Sequence, residues 1–375
     1  MESNLLMWDE TLFRDPDVFE IDYIPDQFSH REAQIMELSY LLRPAARGSR
    51  PLNSILRGLP GTGKTTTTRK IFAEMEEMTT PITPIYINCQ FENTKYAVLS
   101  KIYHTLTGSH PSRSGRSFNA LFSIIAKKMR ETERILIIAL DDANYLLKDT
   151  ELNDLLYILL RSHETHPGTR LGVIVIISDM EIDLRRELDS RVMSVFAPTE
   201  IYFPPYSTGE VRQILSERVV EGLYPNVLSD DLFEFIVAKT ESTGDMRVGL
   251  DLLKRSALNA ERDAVREIEK MHVTDAFKIS KYIHLQYCIK ALSKEEKTII
   301  ATLAEQTKVD EELTTGSLFD LIKPKIKIGY TKYYAIVQKL ETMRLIDLKY
   351  QEGKGRGRTR VLSLRYEPEK VLLYL

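Results

Sequence analysis

Gly58-Leu59-Pro60-Gly61-Thr62-Gly63-Lys64-Thr65 matches the phosphate-binding loop pattern G-x-x-x-x-G-K-[ST] at every required position. Glycines let the backbone curl so that successive N–H groups point at phosphate oxygens, and the helix that follows adds its N-terminal partial positive charge. In this pattern Lys64 reaches the β- and γ-phosphates and the Thr65 hydroxyl binds Mg²⁺. We therefore predict that these eight residues and Thr66 bind ATP or ADP with Mg²⁺.

Short aliphatic runs alternate with helix-like segments on both sides of this loop. A strand-like run at 52–57 precedes the loop, and Thr66 to Met75 reads as a helix. The almost purely aliphatic run Arg134 to Leu140 suits a strand that is buried on both faces of a parallel sheet. The alternation predicts an α/β domain over residues 1–204, in which helices cover a parallel sheet.

Two aspartates follow the aliphatic run directly. This arrangement is similar to the Mg²⁺-binding strand of a phosphate-loop ATPase, in which Asp141 would hold the Thr65-bound Mg²⁺ through water. Asp142 would then polarise the water that attacks the γ-phosphate. Many such ATPases have glutamate at this position, and aspartate is one methylene shorter. We therefore expect a weak ATPase whose slow hydrolysis suits a switch.

The composition is that of an ordinary globular protein. The chain has 375 residues, enough for two or three domains, with 43% hydrophobic and 28% charged residues. No apolar run approaches the ~20 residues of a membrane span, and the N-terminus has no basic segment typical of a signal peptide. The two cysteines have no metal-ligand spacing. We expect a reduced, cytoplasmic protein with no membrane partner.

The positive charge is concentrated near the C-terminus. Residues 323–365 contain twelve basic and three acidic residues, a net charge of +9, whereas the whole chain carries −3. A basic block on an acidic chain indicates that the C-terminal end binds nucleic acid.

After Pro204-Pro205 the pattern is purely helical, which predicts a small helical domain over residues 205–284.

The last part of the chain reads as a winged helix-turn-helix over residues 285–375. A capping box begins at Ser293, and helices are predicted at Ser317–Ile322 and Thr331–Met343. Two alternating runs then flank a basic, glycine-rich hairpin tip. Recognition helices lie in the major groove, and arginine is favoured in the minor groove. The candidate DNA-binding residues are Lys332, Gln338 and Lys339 on the helix and Lys354, Arg356 and Arg358 at the tip.

Taken together, these motifs resemble the archaeal origin-recognition and cell-division-control initiator family of AAA+ ATPases. Further motifs carry the resemblance. They are Phe13-Arg14-Asp15-Pro16, Tyr23-Ile24-Pro25, His30-Arg31-Glu32, Asp189-Ser190-Arg191-Val192, Phe203-Pro204-Pro205-Tyr206 with Arg218, and Gly244-Asp245-Met246-Arg247. The resemblance implies that the first three lie against the adenine and that Tyr206 and Arg218 line the nucleotide.

The same resemblance assigns catalytic roles to two arginines. Arg191 is similar to the arginine finger, which acts on the nucleotide of another subunit, and Arg247 is similar to the second sensor, which approaches the γ-phosphate. The alternative for both arginines is an ordinary surface or ion-pairing role, and the alternative for Tyr206 is packing at the domain junction. The first sensor departs from the family pattern, because Asp179 follows Ile177-Ser178 where asparagine is usual. Either Asp179 has a changed role, or Ser178 supplies the polar group.

The resemblance also implies the function. A member of this family binds origin duplex DNA, remodels it with ATP bound and helps recruit the replicative helicase, acting alone or with other initiator subunits, and it is associated with the nucleoid. An initiator-specific helical insertion corresponds to His110–Leu121, with Arg113 and Arg116 as candidate DNA contacts. The alternatives are a nucleotide-gated transcriptional regulator and a motor or clamp-loader-like ATPase. Footprinting on origin and on promoter DNA distinguishes an initiator from a transcriptional regulator. Strong stimulation of ATP turnover by DNA would distinguish a motor from an initiator.

Overall fold

Five parallel strands form the centre of residues Ile24–Pro205, which we call the sheet unit. The computed structural model describes residues 11–375 except 27, 79–80, 112–116, 148–149, 181, 309–312 and 353–357. The strands are β1 Ser54–Arg57, β2 Ile82–Asn88, β3 Ile135–Asp141, β4 Arg170–Ile177 and β5 Thr199–Tyr202, in the spatial order β2-β3-β4-β1-β5. The helices are α1 Glu32–Ala46, α2 Lys64–Glu76, α3 Lys95–Thr107, α4 Phe118–Glu131, α5 Glu151–Leu160, α6 Ser162–Thr165, α7 Leu184–Glu187 and α8 Ser190–Phe196.

Helices cover both faces of this sheet. Successive β3 side chains point to opposite faces, so Leu136, Ile138 and Leu140 join the apolar cluster formed with α3, α4 and α5. The alternate side chains of β3 join a second cluster with α1 and α2. Every residue of β3 is buried. The predicted α/β fold with a parallel sheet is confirmed.

The remaining described residues, up to Tyr23 and from Tyr206 onwards, form a second unit, which we call the helical unit. Its helices are α9 Thr208–Gly222, α10 Asp230–Thr243, α11 Met246–Arg262, α12 Lys270–Ala291, α13 Lys294–Thr307, α14 Thr315–Ile322, α15 Tyr330–Thr342 and α16 Pro368–Tyr374. Its strands are β6 Leu313–Thr314, β7 Ile346–Glu352 and β8 Arg358–Leu364, which form an antiparallel sheet in the order β6-β8-β7. Helices α13 to α15 followed by the β7–β8 hairpin form the expected winged helix.

Two features of the helical unit differ from the sequence prediction. Helix α12 runs through the predicted domain boundary at residues 284 and 285, because its apolar residues continue from Val273 to Ile289. The N-terminal segment packs on α9, where the Arg14 and Asp15 amides donate to the Gly222 carbonyl at 2.9 and 3.2 Å. A Cβ at Gly222 would lie 2.4 Å from the Phe19 ring, so the close approach requires glycine. Residues 11–23 therefore belong with the helices after Tyr206, whereas the prediction placed them in the first domain.

No helix among the described residues is both long enough and apolar enough to cross a membrane.

Candidate functional site

The loop between β1 and α2 needs glycine at three positions. Gly61 and Gly63 have φ of +76° and +88°, in the left-handed region that disfavours side chains. A Cβ at Gly58 would lie 2.4 Å from the Phe203 carbonyl oxygen of the neighbouring chain segment. The loop therefore takes its tight curve because these three positions carry no side chain.

The Lys64 ammonium lies at the centre of this loop. It is buried and donates to the carbonyl oxygens of Gly58 and Leu59, both at 2.8 Å. Thr62 donates its hydroxyl to the Leu59 carbonyl at 2.8 Å. An ammonium has three donors on a flexible stem, so it can exchange carbonyl oxygens for phosphate oxygens with little movement.

Arg31 links the loop to the chain segment that follows β5. Its side chain is 2% exposed and donates to the Thr62 carbonyl at 2.9 Å and to the Pro204 carbonyl at 2.7 Å. Sequence reasoning assigned the segment around Arg31 to the adenine and missed this supporting role. The residue lies before α1, remote in sequence from both of its partners, so periodicity and spacing gave no signal for it.

The two predicted Mg²⁺ residues lie together. The Thr65 hydroxyl donates to Asp141 Oδ2 at 2.6 Å, and the Tyr86 hydroxyl donates to the same oxygen at 2.6 Å. Burial and the negative charge of Asp141 raise the pKa of the Tyr86 phenol well above its usual value, so the phenol stays a donor. Hydroxyl and carboxylate oxygens are ligands that Mg²⁺ prefers, and this donor set fits the ion.

Asp142 is held by a residue that sequence reasoning missed. Its backbone has a φ of +51°, and Gln90 Nε2 donates to Asp142 Oδ2 at 2.7 Å. Strand pairing explains the contact, because Asn88 of β2 lies opposite Asp141 of β3, which places the residues that follow each strand side by side. The carboxylate that is predicted to polarise water is therefore tied by a neutral amide.

Asp179 is a buried carboxylate, 4% exposed, two residues beyond the end of β4. Arg57 donates to the backbone carbonyls of Asp179 at 3.4 Å and Ile182 at 2.6 Å, and it forms an ion pair with Glu200 at 2.5 Å. The structure thus keeps a carboxylate at the first-sensor position and fixes its backbone.

The remaining predicted nucleotide residues fall on both units. In the sheet unit Arg191 is exposed in the first turn of α8, and the preceding Asp189 is fixed by reciprocal hydrogen bonds with Asn153 at 2.9 and 3.1 Å. In the helical unit Tyr206 packs half-buried on the apolar cluster formed by α9 to α12. The Arg218 guanidinium lies 4.7 Å over the ring of Tyr23, from the segment that the resemblance also places at the nucleotide.

Arg247 forms an ion pair within the helical unit, which is the alternative to the second-sensor role. Its Nε and Nη2 donate to the two carboxylate oxygens of Asp245 at 2.9 and 2.6 Å, and its guanidinium lies 3.5 Å from the centre of the Tyr287 ring. Burial raises the pKa of Asp245, but Arg247 and His284 outweigh it, so that pKa lies well below its usual range.

The outer face of α15 carries two of the predicted DNA-binding residues. Lys332 and Gln338 are exposed, and Lys332 pairs with Glu295 at 2.5 Å. Tyr334 of the same face accepts hydrogen bonds from Gln338 at 3.2 Å and from Arg360 of β8. Sequence reasoning missed Tyr334 and Arg360, which join the recognition helix to the wing strand.

The prediction that Lys339 faces DNA is wrong. Its side chain is 7% exposed, and its ammonium pairs with Glu296, 1% exposed, at 2.7 Å. The other oxygen of Glu296 accepts the Ser293 amide at 2.7 Å in the capping box of α13. Lys339 therefore sets the position of α15 on α13 from inside the domain.

The hairpin tip and the insertion fall largely outside the described residues. Arg113, Arg116, Lys354 and Arg356 are among the residues that the structure does not describe, and Arg358 begins β8 with no description of its side chain. Their assignment to DNA remains a prediction.

Two family descriptions match this chain. "AAA domain" matches residues 47–185 and "Cdc6 AAA+ ATPase-type lid domain" matches residues 212–278. The chain is 42% identical over 371 residues to ORC1-type DNA replication protein 6 of Halobacterium salinarum, covering 99% of this chain and 98% of the relative. It is 43% identical over 372 residues to ORC1-type DNA replication protein 3 of Haloarcula marismortui, with the same coverage.

Solved structures show the same architecture over the whole chain. The Aeropyrum pernix ORC1 protein in complex with DNA matches with a TM-score of 0.69 and 26% identity, covering 98% of this chain and 97% of that one. Cdc6p from Pyrobaculum aerophilum matches with a TM-score of 0.65 and 21% identity, covering 97% and 98%. The second match supports the fold alone.

Replacing Gln90 should remove one hydrogen bond from the Asp142 carboxylate. A hydrogen bond to a charged group is worth about 1.5–3 kcal/mol, and each 1.4 kcal/mol is tenfold in rate. We expect Gln90→Ala to raise steady-state ATP turnover by about tenfold, the lower end of this range, with unchanged ATP affinity. Gln34→Ala, which removes an amide bonded to the Tyr202 carbonyl, serves as the control and should change neither quantity. Lower turnover in Gln90→Ala would show that the amide positions Asp142 productively.

Lys332 and Lys339 form a matched pair on one helix. Lys339→Ala leaves the Glu296 carboxylate buried without its cation, which should cost about 3–5 kcal/mol of unfolding free energy in urea denaturation. Lys332→Ala should leave stability unchanged and reduce by about 1 the slope of log K against log salt for duplex DNA. An equal loss of salt slope in both variants, with normal stability of Lys339→Ala, would show that Lys339 contacts DNA.

Proposed function

The chain belongs to the archaeal Orc1/Cdc6 family of AAA+ ATPases and is an ORC1-type replication initiator, and from that premise we propose that it holds and deforms origin duplex DNA as a slow ATP-dependent switch. The observation that carries the proposal is the assembled nucleotide site, in which Lys64, Thr65 and Asp141 converge at one edge of the sheet. The relatives' names favour replication over a transcriptional regulator or a clamp loader.

Different residues of the sheet unit bind the phosphates, orient water and hold the metal ion. The loop amides and Lys64 bind the phosphates, and Asp142 orients the attacking water. Thr65 and, through water, Asp141 would hold Mg²⁺, which supplies positive charge for the phosphate oxygens when it is bound. Tyr86 fixes the carboxylate of Asp141 by its short hydrogen bond, so the metal-binding oxygens are positioned before the nucleotide arrives.

Three features support slow hydrolysis. The side chain of Asp142 is short and is tied by Gln90 at 2.7 Å. Asp179, a buried acidic residue, stands at the first-sensor position, where asparagine is usual in the family. Arg191 is exposed on α8, so as an arginine finger it acts only when a second subunit docks. ATP therefore stays bound while the chain is on DNA.

The winged helix binds duplex DNA. Lys332 and Gln338 on α15 face outward, and Tyr334 joins them to Arg360 of the wing strand. A relative with 26% identity was solved in complex with DNA. With the wing tip and the insertion as further contacts, two grips on one duplex can bend or underwind it, which favours opening and recruitment of the replicative helicase. Other initiator subunits and the nucleoid are the remaining expected partners.

A double substitution at the wing tests this function. We expect Arg356→Ala with Arg358→Ala to weaken binding to duplex DNA strongly and to reduce the salt slope by about 2, because each lost phosphate contact releases about one counterion fewer. Fluorescence anisotropy over a salt series measures both effects. Arg212→Ala removes an exposed lid arginine that pairs with Glu234 and should change neither.

Genome-wide occupancy provides the complementary test of the biological role. Bound sites should coincide with the marker-frequency peaks from which replication starts, and the double wing variant should lose them. Occupancy confined to promoters, or unchanged affinity in the double variant, would contradict the proposal.

A further inference from the structure

Five arginines gather where the strands of the parallel sheet begin, and we call them the arginine edge. They are Arg47, Arg50, Arg130, Arg134 and Arg170. Arg134 directly precedes β3, and Arg170 is the first residue of β4, where it is paired in register with Ile135 of β3. Neighbouring strands lie about 4.8 Å apart, so the backbones of these two arginines lie side by side.

Hydrogen bonds bring the loop before β1 to the same place. The Arg170 guanidinium donates to the Gly48 carbonyl at 2.7 Å, and Arg47 is the residue before that glycine. Arg50 donates to the Leu171 carbonyl of β4 at 3.2 Å. Arg47 and Arg50 therefore lie beside the start of β4.

The end of α4 completes the arginine edge. A Cβ at Gly168, two residues before β4, would lie 3.8 Å from Cδ of Arg130. Arg134 Nη1 donates to the Thr83 hydroxyl oxygen of β2 at 3.1 Å. The surface thus extends from the loop before β1 across the starts of β4 and β3 to β2.

None of the five arginines forms an ion pair within the described part of the chain. Two carboxylates that are close in sequence are already paired, Glu131 with Lys127 at 3.8 Å and Glu164 with Arg161 at 3.1 Å. A third acid, Glu133, is exposed and is outnumbered by the arginines. The arginine edge therefore carries an excess of positive charge.

Most of this charge is accessible. Four of the five arginines are exposed, and Arg50 is half-buried. A guanidinium has five N–H donors, so one or two hydrogen bonds to carbonyl or hydroxyl oxygens leave several donors for a ligand. Glu76 and Glu77, at the end of α2, limit the surface on the side of β2.

Helix capping explains only part of this arrangement. Arg47 follows the last residue of α1 and Arg130 lies in the last turn of α4, where positive charge favours the helix dipole. Arg50, Arg134 and Arg170 lie outside helices. Their place on one exposed surface without carboxylate partners points to a ligand of opposite charge.

Strand β3 separates the arginine edge from the nucleotide site. Asp141 ends β3, seven residues after Arg134, which is a span of about 23 Å at ~3.3 Å per residue. A ligand of the arginine edge therefore leaves the contact between Thr65 and Asp141 untouched.

Phosphate is the anion that suits such a surface. The planar guanidinium donates to two phosphate oxygens at once and keeps its charge at physiological pH. Duplex DNA carries one negative charge per ~1.7 Å of its axis, so several neighbouring arginines can contact it together. Phosphate contacts carry no sequence information, so the arginine edge would bind DNA of any sequence.

We propose that the arginine edge binds the phosphate backbone of duplex DNA that continues beyond the stretch held by the winged helix. The inference takes duplex DNA as the partner from the proposed function, and it adds a surface that is separate from α15, the wing and the insertion. The sheet unit thereby gains a sequence-independent contact with flanking DNA, at the end of the strands away from the nucleotide site.

Neutralising three of the arginines tests this surface. A triple variant carries Arg47→Gln, Arg130→Gln and Arg134→Gln, and its Kd for a duplex of about six helical turns is measured over a salt series. Each phosphate contact contributes about 0.9 to the slope of log K against log salt, so the slope should fall by about 2.7. The affinity for ATP should stay unchanged.

A matched triple variant removes the same charge elsewhere. Arg186→Gln, Arg212→Gln and Lys278→Gln neutralise exposed residues that each pair with a carboxylate. This variant should keep the wild-type slope. An equal fall in both triple variants would be an effect of net charge and would overturn the inference.

Directed cleavage locates the DNA without removing an arginine. Cys89 and Cys288 are buried, so iron-EDTA can be attached selectively to Thr132→Cys, an exposed position between Arg130 and Arg134. The tethered iron should cleave the six-turn duplex, and the three glutamines should abolish that cleavage. The labelled chain with its native arginines decides the case if the triple variant does not fold.

An unchanged slope in the arginine-edge variant, or no cleavage from position 132, would overturn the inference. The proposed function would stand in either case, provided that the double wing variant still weakens DNA binding. Failure of the wild type to bind duplex DNA would overturn the proposed function itself.

Discussion

The hydrogen bond from Thr65 to Asp141 is the constraint on which the nucleotide site depends. It links the loop after β1 to the end of β3 at 2.6 Å, although 76 residues separate the two. The contact exists because parallel strands bring their carboxyl ends to one edge of the sheet. Tyr86 from β2 and the Arg31 bonds to the loop add support, so three strands and the segment before α1 hold Thr65 and Asp141 in place.

The sequence predicted what depends on local pattern, and it missed what depends on tertiary neighbours. The loop, the strands and the winged helix follow from glycine spacing, from aliphatic runs buried on two faces and from helical periodicity. Gln90 and Tyr86 became visible only with the β2–β3 register. Lys339 was assigned to the DNA surface because a charged residue usually faces water, whereas the capping residue Glu296 of α13 offers it a buried partner.

We propose that the charges around the nucleotide site favour a long-lived bound state over rapid ATP turnover. Asp142 is tied by Gln90, Asp179 is a buried carboxylate and Arg247 is paired with Asp245. We propose that the first two arrangements slow phosphoryl transfer. At the other end of the chain, we propose that the outward face of α15 and the basic wing bind duplex DNA, which agrees with relatives that are ORC1-type DNA replication proteins.

The steady-state rate of ATP hydrolysis at saturating duplex DNA tests this account most directly. Nucleotide switches that carry their catalytic groups in one chain turn over at about 10⁻² s⁻¹. We expect a rate on this order or below, with little stimulation by DNA. A rate of about 1 s⁻¹ or more that depends on DNA would be that of a motor and would exclude the proposed switch.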